Sequence, residues 1–366
     1  MTEQITQTPE ERRDALVERL FEAVLGMNDL YMVYIGDRLG FYRTLTDLGS
    51  VTISELAAAT GTHERYVREW LEQQAVTGIL AVEDAEVEAD IRRYRLPEGH
   101  DEVLTERDSL NYLAPFARMM AGLVRPLPEV IEAFRTGGGV PYARYDEDFC
   151  EGQGEMNRVQ FINLLGSEWI PSVPDVHERL SDDPPARVAD VACGTGWSSI
   201  ALARAYPKVH VDGLDLDEYS IEVAKQNLAG TGLEDRVSFR VRDAANPEIS
   251  GGYDIVTVFE AIHDLPRPVE VLRAIRNLLN EEGAAIVADE RVAGKFIAPG
   301  DEVERLMYGW SVLHCLPVGM AEQPSAATGT VMRTETLRGY ALEAGFGSFE
   351  VLPIENDFWR FYSLKP

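Results

Sequence analysis

Val188-Ala189-Asp190-Val191-Ala192-Cys193-Gly194-Thr195-Gly196 is the stretch that decides the fold. It is a short apolar strand running into a turn of small residues, and a helix-forming segment, Ser198 to Ala205, follows it. Strand, glycine turn and helix together begin a doubly wound nucleotide-binding sheet. Gly194 and Gly196 let the backbone approach a ligand where a side chain would block it. The dinucleotide pattern G-x-G-x-x-G is not met, because Ser199 stands where the third glycine would fall. No Lys-Ser/Thr pair follows the glycines, which excludes a P-loop. Asp190, an acid inside the strand end, suits a ligand with a positive amino group and no phosphate.

Outward from this stretch, Val209 to Asp215 reads as a second strand ending in a carboxylate, and Asp215 lies 19 residues after Gly196. That spacing is close to the one expected of an acid that holds ribose hydroxyls. A third strand, Val237 to Val241, leads to Asp243-Ala244. A fourth, Asp254 to Phe259, leads to Glu260-Ala261-Ile262-His263-Asp264, and a fifth, Ala284 to Ala288, to Asp289-Glu290. These polar groups sit at the carboxyl ends of strands, where sheets of this kind bind ligands. The ordered set resembles the class I S-adenosylmethionine (SAM) methyltransferases, with the opening stretch in the place of their motif I. The resemblance implies an α/β fold, a Rossmann-like class I methyltransferase sheet, with SAM as cofactor and S-adenosyl-L-homocysteine (SAH) as product. It implies contacts from Asp190, Ala192, Gly194 and Gly196 to the methionine end. It also implies Asp215 and Leu216 at the ribose, Asp243 and Ala244 near the adenine, and Phe259 and Glu260 beside the cofactor. Asp217 competes with Asp215 for the ribose.

The chain has 366 residues, enough for two domains, and an ordinary apolar content of 45%. No apolar run reaches the roughly 18 to 20 residues that span a bilayer. The polar, acidic start, Met1 to Asp14, reads as no secretory signal. Cys150, Cys193 and Cys315 are scattered and odd in number, which fits a reducing cytoplasm and argues against a disulfide framework. No Cys/His spacing has the pattern of a zinc site, and His314-Cys315 stand without nearby partners, so no metal is expected. The formal charge of −28 repels phosphate backbones and argues against nucleic acid as partner or substrate. Lysines number four, Lys208, Lys225, Lys295 and Lys365, a bias compatible with salt adaptation or with GC-rich codon usage.

In the N-terminal part, Pro9 to Leu25 has an amphipathic stripe of Val17, Leu20, Phe21 and Val24, and Asp29 to Leu48 continues helical. Thr52 and Glu55 form a capping box for a helix that Gly61 closes. Thr62 is expected to cap the next helix, with a stripe through Tyr66, Val67, Trp70 and Leu71. Ile79 to Val82 and Tyr94 to Leu96 then form a hairpin, which completes a winged helix-turn-helix pattern. Residues 1–120 contain 12 Arg, no Lys and 23 Asp and Glu, which disfavours DNA binding. Small-molecule O-methyltransferases carry such a helical winged-helix domain and dimerise through it, so the resemblance implies a homodimer. The expected division is a winged-helix domain at 1–105, linker helices at 106–180 that form part of the acceptor pocket, and a SAM domain at 181–366. The linker includes a helix pair over Asp108 to Phe134 and a helix from Gly154 to Ile170.

Methyl transfer is an in-line displacement, and a hydroxyl acceptor of high pKa needs its proton removed. His263 is the candidate base, since a histidine titrates near neutrality. The segment Ala261-Ile262-His263-Asp264-Leu265 resembles the His-Asp-Trp segment of plant-type O-methyltransferases, whose histidine deprotonates the acceptor. By the same resemblance Glu290 orients the imidazole. A second acid, usual in that family before an Arg-Thr pair, is replaced here by Met332 before Arg333-Thr334. The departure leaves room for a thiol or amine acceptor. Met307, Trp310 and His314, about one turn apart, are candidates to line a small-molecule acceptor pocket with Tyr142 and Trp169; core packing accounts for the same pattern. The expected function is thus O-methylation of a small molecule. S- or N-methylation and a SAM-sensing DNA-binding regulator are the alternatives.

Overall fold

A computed structural model of the chain describes residues 7–243 and 252–366. They form two compact units, Met1–Ala121 and Gly122–Pro366. The first begins with helices α1 (Pro9–Arg38), α2 (Phe41–Leu48), α3 (Ile53–Thr60), α4 (Glu64–Val76) and α5 (His100–Leu104). Strands β1 (Ser50–Val51), β2 (Ala81–Val82) and β3 (Tyr94–Arg95) make a small antiparallel sheet in the order β1-β3-β2. This is the expected winged helix-turn-helix. The Thr52/Glu55 capping box is present, and Gly61 closes α3 with a left-handed φ of 65°.

Three details differ from the sequence reading. Residues 9–38 are one helix, which ends where Gly40 takes a left-handed φ; its apolar stripe is exposed, with Val17 at 61%, Leu20 at 59% and Phe21 at 63%. His63, not Thr62, caps α4, its ring accepting from the Arg65 amide. Tyr66 falls off the buried stripe and lies exposed, because a helical turn that buries Val67, Trp70 and Leu71 turns residue 66 outward.

Helix α6 (Ala114–Leu123) leads to α7 (Leu127–Thr136) and α8 (Asp146–Gln160). The helix expected from Gly154 starts eight residues earlier and widens into π-helical turns over Phe161–Trp169. Helix α9 (Pro174–Ser181) precedes the sheet.

The main sheet comprises β4 (Arg187–Val191), β5 (His210–Asp215), β6 (Val237–Val241), β7 (Tyr253–Phe259), β8 (Leu279–Glu290), β9 (Ser348–Val351) and β10 (Trp359–Lys365). Their order is β6-β5-β4-β7-β8-β10-β9. The first five run parallel, and β10 lies antiparallel to both its neighbours. The expected C-terminal hairpin is therefore at the sheet edge. Helices α10 (Trp197–Ala205), α11 (Glu218–Leu228), α12 (Pro268–Leu278), α13 (Glu302–Trp310), α14 (Leu316–Gly319) and α15 (Thr334–Ala344) complete the unit.

Both sheet faces are covered, so the central strands are mostly apolar and bury residues on both sides. Val188, Ile255, Ile286 and Phe361 enter a core with Ile200, Ile221 and Leu165. Their neighbours Ala189, Val256, Val287 and Tyr362 enter a second core with Leu272, Ile275 and Leu337. The chain passes from β4 outward to β6 and returns to β7 on the other side of β4. This reversal is a topological switch point, and it opens a crevice at the strand tips.

Candidate active site

The glycine turn after β4 is held from three sides. Asp190 is buried; its Oδ2 accepts from Ser198 and Ser199, both at 2.6 Å, and its Oδ1 from Thr257 at 2.7 Å. The three hydroxyls tie the carboxylate, and with it the turn, to β7 and α10 as well as to the crevice it lines. Burial pushes its pKa up, against the pull of those hydroxyls. Ala192, at φ 56°, and Gly194, at φ 51°, both take left-handed conformations. A Cβ on Gly194 would meet nothing within 4 Å, whereas one on Gly196 would lie 2.4 Å from the Phe239 ring. The second glycine is thus required by packing and the first only by conformation.

Asp215, at the tip of β5, accepts from the Gly194 amide at 2.8 Å and from the Asp217 amide at 2.9 Å. Burial raises its carboxyl pKa, and these amides oppose the rise. Asp217, the alternative ribose holder, caps α11 through the amide and hydroxyl of Ser220. Both Asp215 and Asp217 border the cavity in this crevice. Glu260, at the end of β7, has a left-handed φ of 51°, a strained conformation for a residue with a side chain. Its carboxylate accepts from Asn157 and, at 2.9 Å, from the Trp359 indole.

These elements enclose a cavity of about 520 Å³, within the usual range for a small-molecule site. Asp190, Ala192, Gly194, Asp215, Leu216, Asp243, Phe259 and Glu260 all border it. Gly196 does not border it, and Ala244 lies outside the described residues. Sequence reading had not named Asn157, Arg267, Val318 or Glu322, which also line the cavity. They come from chain segments with no motif of their own.

The acceptor-side expectations fare differently. Tyr142 lines the cavity, but Trp169, Met307, Trp310 and His314 do not. Trp169 is 2% exposed and packs on Trp359 and Phe361 in the core. His314 stacks on Phe149 with ring centroids 4.3 Å apart, and Tyr142 and Tyr145 meet it edge-on. That box holds the imidazole neutral, its pKa pushed down to about 3 by burial and by the positive His263. The chain widens into π-helical turns at Ser311–Cys315, so regular helical spacing misplaces His314.

His263 is the second correction. It is 3% exposed and does not border the cavity. Its Nδ1 lies 2.6 Å from Asp289 Oδ1, so Asp289, not Glu290, is the carboxylate bonded to the imidazole. Successive strand residues point to opposite faces, and a one-residue choice at a strand end reverses which acid meets the ring. Burial alone would lower the pKa of His263, but the adjacent Asp289 and the nearby Cys315 raise it well above its ordinary value. Burial and the neighbouring Glu260 push the Glu290 carboxyl well above the usual carboxylate range. Ligand atoms of His263, Asp289 and Glu290 lie within 4.8 Å of one another. The 2.6 Å contact fits a shared proton better than a metal, whose ligands at about 2.0 to 2.1 Å stand farther apart.

Asp264, next to His263, does border the cavity. Helix α14 presses on this turn at Gly319, where a Cβ would lie 2.9 Å from the Asp264 carbonyl. Burial raises the Asp264 carboxyl to about 7, with His263 opposing and Asp289, Asp215 and Glu260 assisting.

Residues 182–332 match a family described as "Methyltransferase domain", and residues 29–106 match the "Rv2258c-like winged HTH domain". Residues 182–332, about two-fifths of the chain, thus carry a methyltransferase domain. It is 32% identical over 168 residues to a methyltransferase, GfsG, from Streptomyces halstedii, a match covering 42% of this chain and 60% of that protein. It is 29% identical over 144 residues to a ubiquinone biosynthesis O-methyltransferase from Neisseria meningitidis, covering 39% of this chain and 57% of that one. The chain thus spans about 60% of the length of the curated relatives it matches. Among solved structures, the mitomycin 7-O-methyltransferase MmcR superposes with a TM-score of 0.69 at 18% identity, covering 98% of this chain and 100% of that one. The chain therefore shares its fold with that structure over nearly the whole length of both.

Proposed function

We propose that the protein transfers a methyl group from SAM to a hydroxyl of a small molecule. The observation that carries this reading is one cavity whose wall joins the glycine turn and Asp215 to Tyr142, Leu265, Pro266 and Val318. The first group suits the cofactor: an open Gly194 backbone admits the methionine end, and Asp215 keeps lone pairs for ribose hydroxyls. The second group is mixed apolar and aromatic and suits a small acceptor. Bound SAM supplies an electrophilic methyl carbon. The chain's own residues hold both reactants in line and exclude water, which is worth several orders of magnitude in rate. The cavity's carboxylates also favour a cationic cofactor over NAD or ATP, whose phosphates they would repel.

The sequence reading places the base at His263, and the buried Asp289–His263 pair supports a charged role for that residue beneath the cavity floor. The exposed stripe of α1 supports a homodimer formed through the N-terminal unit. No described helix is long and apolar enough to cross a membrane. The winged unit carries an acidic excess that disfavours DNA. The experiment is calorimetry with SAH, NAD and ATP, followed by trial methylation of phenols, thiols and amines. Binding of SAH alone, with turnover of phenols, is the expected result. Uptake of NAD or ATP in place of SAH would overturn the reading.

A further inference from the structure

We propose that Asp264, and not its neighbour His263, is the group that takes the proton from the acceptor. This rests on the methyl-transfer reading above and assigns the catalytic residue of that same site. Of the two residues, only Asp264 borders the cavity. His263 is buried and does not border it, and its Nδ1 is held by Asp289. A base must come within hydrogen-bond reach of the proton it removes, and His263 could do so only by breaking out of this arrangement.

Asp264 is also a cavity carboxylate with no hydrogen bond from a described residue, whereas others that border the cavity with it are engaged. Asp190 is held by three hydroxyls, Asp215 by two amides, Asp217 by the α11 cap, and Glu260 by Asn157 and Trp359. Glu322 pairs with Arg267 at 3.8 Å. Among the described residues, none donates a hydrogen bond to the Asp264 carboxyl. A half-buried carboxyl left open to a cavity is satisfied by what enters it. The groups facing it are His263 on its own turn, Glu260 at the end of β7, Asp289 and Glu290 on β8, Asp215 on β5, and Cys315. The acids among them and burial disfavour its anion, and His263 favours it, which poises the carboxyl near neutrality, the range in which a base works best at physiological pH.

In the step, the acceptor's O–H bond breaks. Its electron pair stays on oxygen for the new bond to carbon, and the proton passes to Asp264 Oδ. The departing thioether leaves neutral and needs no proton. His263 is then a positioning residue, whose positive charge keeps Asp264 from rising further.

The test compares wild type with Asp264→Asn. Calorimetry with SAH comes first: an affinity within about threefold of wild type is expected, and a loss of tenfold or more would make Asp264 a cofactor ligand and overturn the proposal. The SAH-loaded proteins are then titrated at pH 7.5 with 4-nitrophenol, whose colour reports its ionisation. Wild type should show a saturable rise in bound phenolate that Asp264→Asn lacks; no saturable signal, or an equal one in both, would overturn the assignment. Turnover of a phenol should fall by about 10² to 10⁴ in kcat, with the limb near pH 7 lost from the profile. Failure of SAH to bind wild type would instead overturn the methyl-transfer reading itself.

Discussion

His263 and Asp264 are adjacent in the chain and face different surroundings, and this contrast makes the sharpest single-residue predictions. Replacing His263 with Asn leaves Asp289 buried beside Glu290 without its cation. Breaking a buried pair in this way costs about 3 to 5 kcal/mol, so urea unfolding of that variant should show a loss of this size. The same change removes the charge that favours the Asp264 anion, so the acid limb of any activity profile should move to higher pH. The stability of wild type should also fall as pH rises from about 4 to 7 through Asp264. The folded protein keeps a proton on this carboxyl across that window, while the unfolded chain, with a carboxyl at 3.8, gives it up. The span allows at most about 4 kcal/mol, at roughly 1.4 kcal/mol per unit. Asp264→Asn should therefore have the flatter stability curve between pH 5 and 8, and identical slopes would refute the environment assigned to it. His314 works in the opposite sense. Its folded pKa of about 3 lies below the ordinary 6.5, so its contribution is present above pH 6.5 and lost as pH falls. His314→Phe should reduce acid destabilisation between pH 6.5 and 4, as measured by urea midpoints.

Among the elements, the strand–turn–helix at 187–205 was the most legible, because its conformation is dictated locally. Gly194 and Gly196 both adopt left-handed φ, yet they differ in what surrounds them. Gly194→Ala should lose about 1 to 2 kcal/mol for the conformation alone and weaken SAH binding by crowding the cavity. Gly196→Ala adds overlap with Phe239 and Ala224, and should be the more destabilised of the two by urea unfolding. An equal loss in both would contradict the packing described. Strand bounds read from the sequence fell within a residue for β4 to β7, since these strands are apolar runs closed by acids and glycines. The helices were read less well where their geometry is irregular. The widening over 161–169 and 311–315 moves Trp169 and His314 into core positions that a regular 3.6-residue period does not foresee. Asp289 and Glu290 were both seen at the end of β8, but which of them meets the imidazole depends on register against β7 and β10.

For the whole chain, charge and exposed apolar surface govern behaviour. A net charge of −28 repels itself, and salt screens that repulsion over about 10 Å at 0.1 M. Thermal unfolding should accordingly shift upward between 20 mM and 500 mM NaCl; a downward shift would show that ion pairs such as Arg118–Asp37 at 2.7 Å outweigh the repulsion. The proposed homodimer is tested by Leu20→Glu with Phe21→Glu on α1, which should halve the mass seen by light scattering while leaving SAH affinity unchanged. A dimer that survives the pair of changes would place its interface elsewhere. The sequence by itself determined the two kinds of unit and the row of acids at strand tips. Turn conformation, alternation and capping follow from neighbouring residues, as the Thr52 box and the 188–196 turn illustrate. Only the tertiary structure decided that Asp289 holds His263, that His314 is boxed by aromatic rings, and that Asp264 opens on the cavity. Each of these turns on which side of a strand or helix a residue faces once distant segments pack. Burial and neighbouring charge, both products of that packing, then set what each titratable group does.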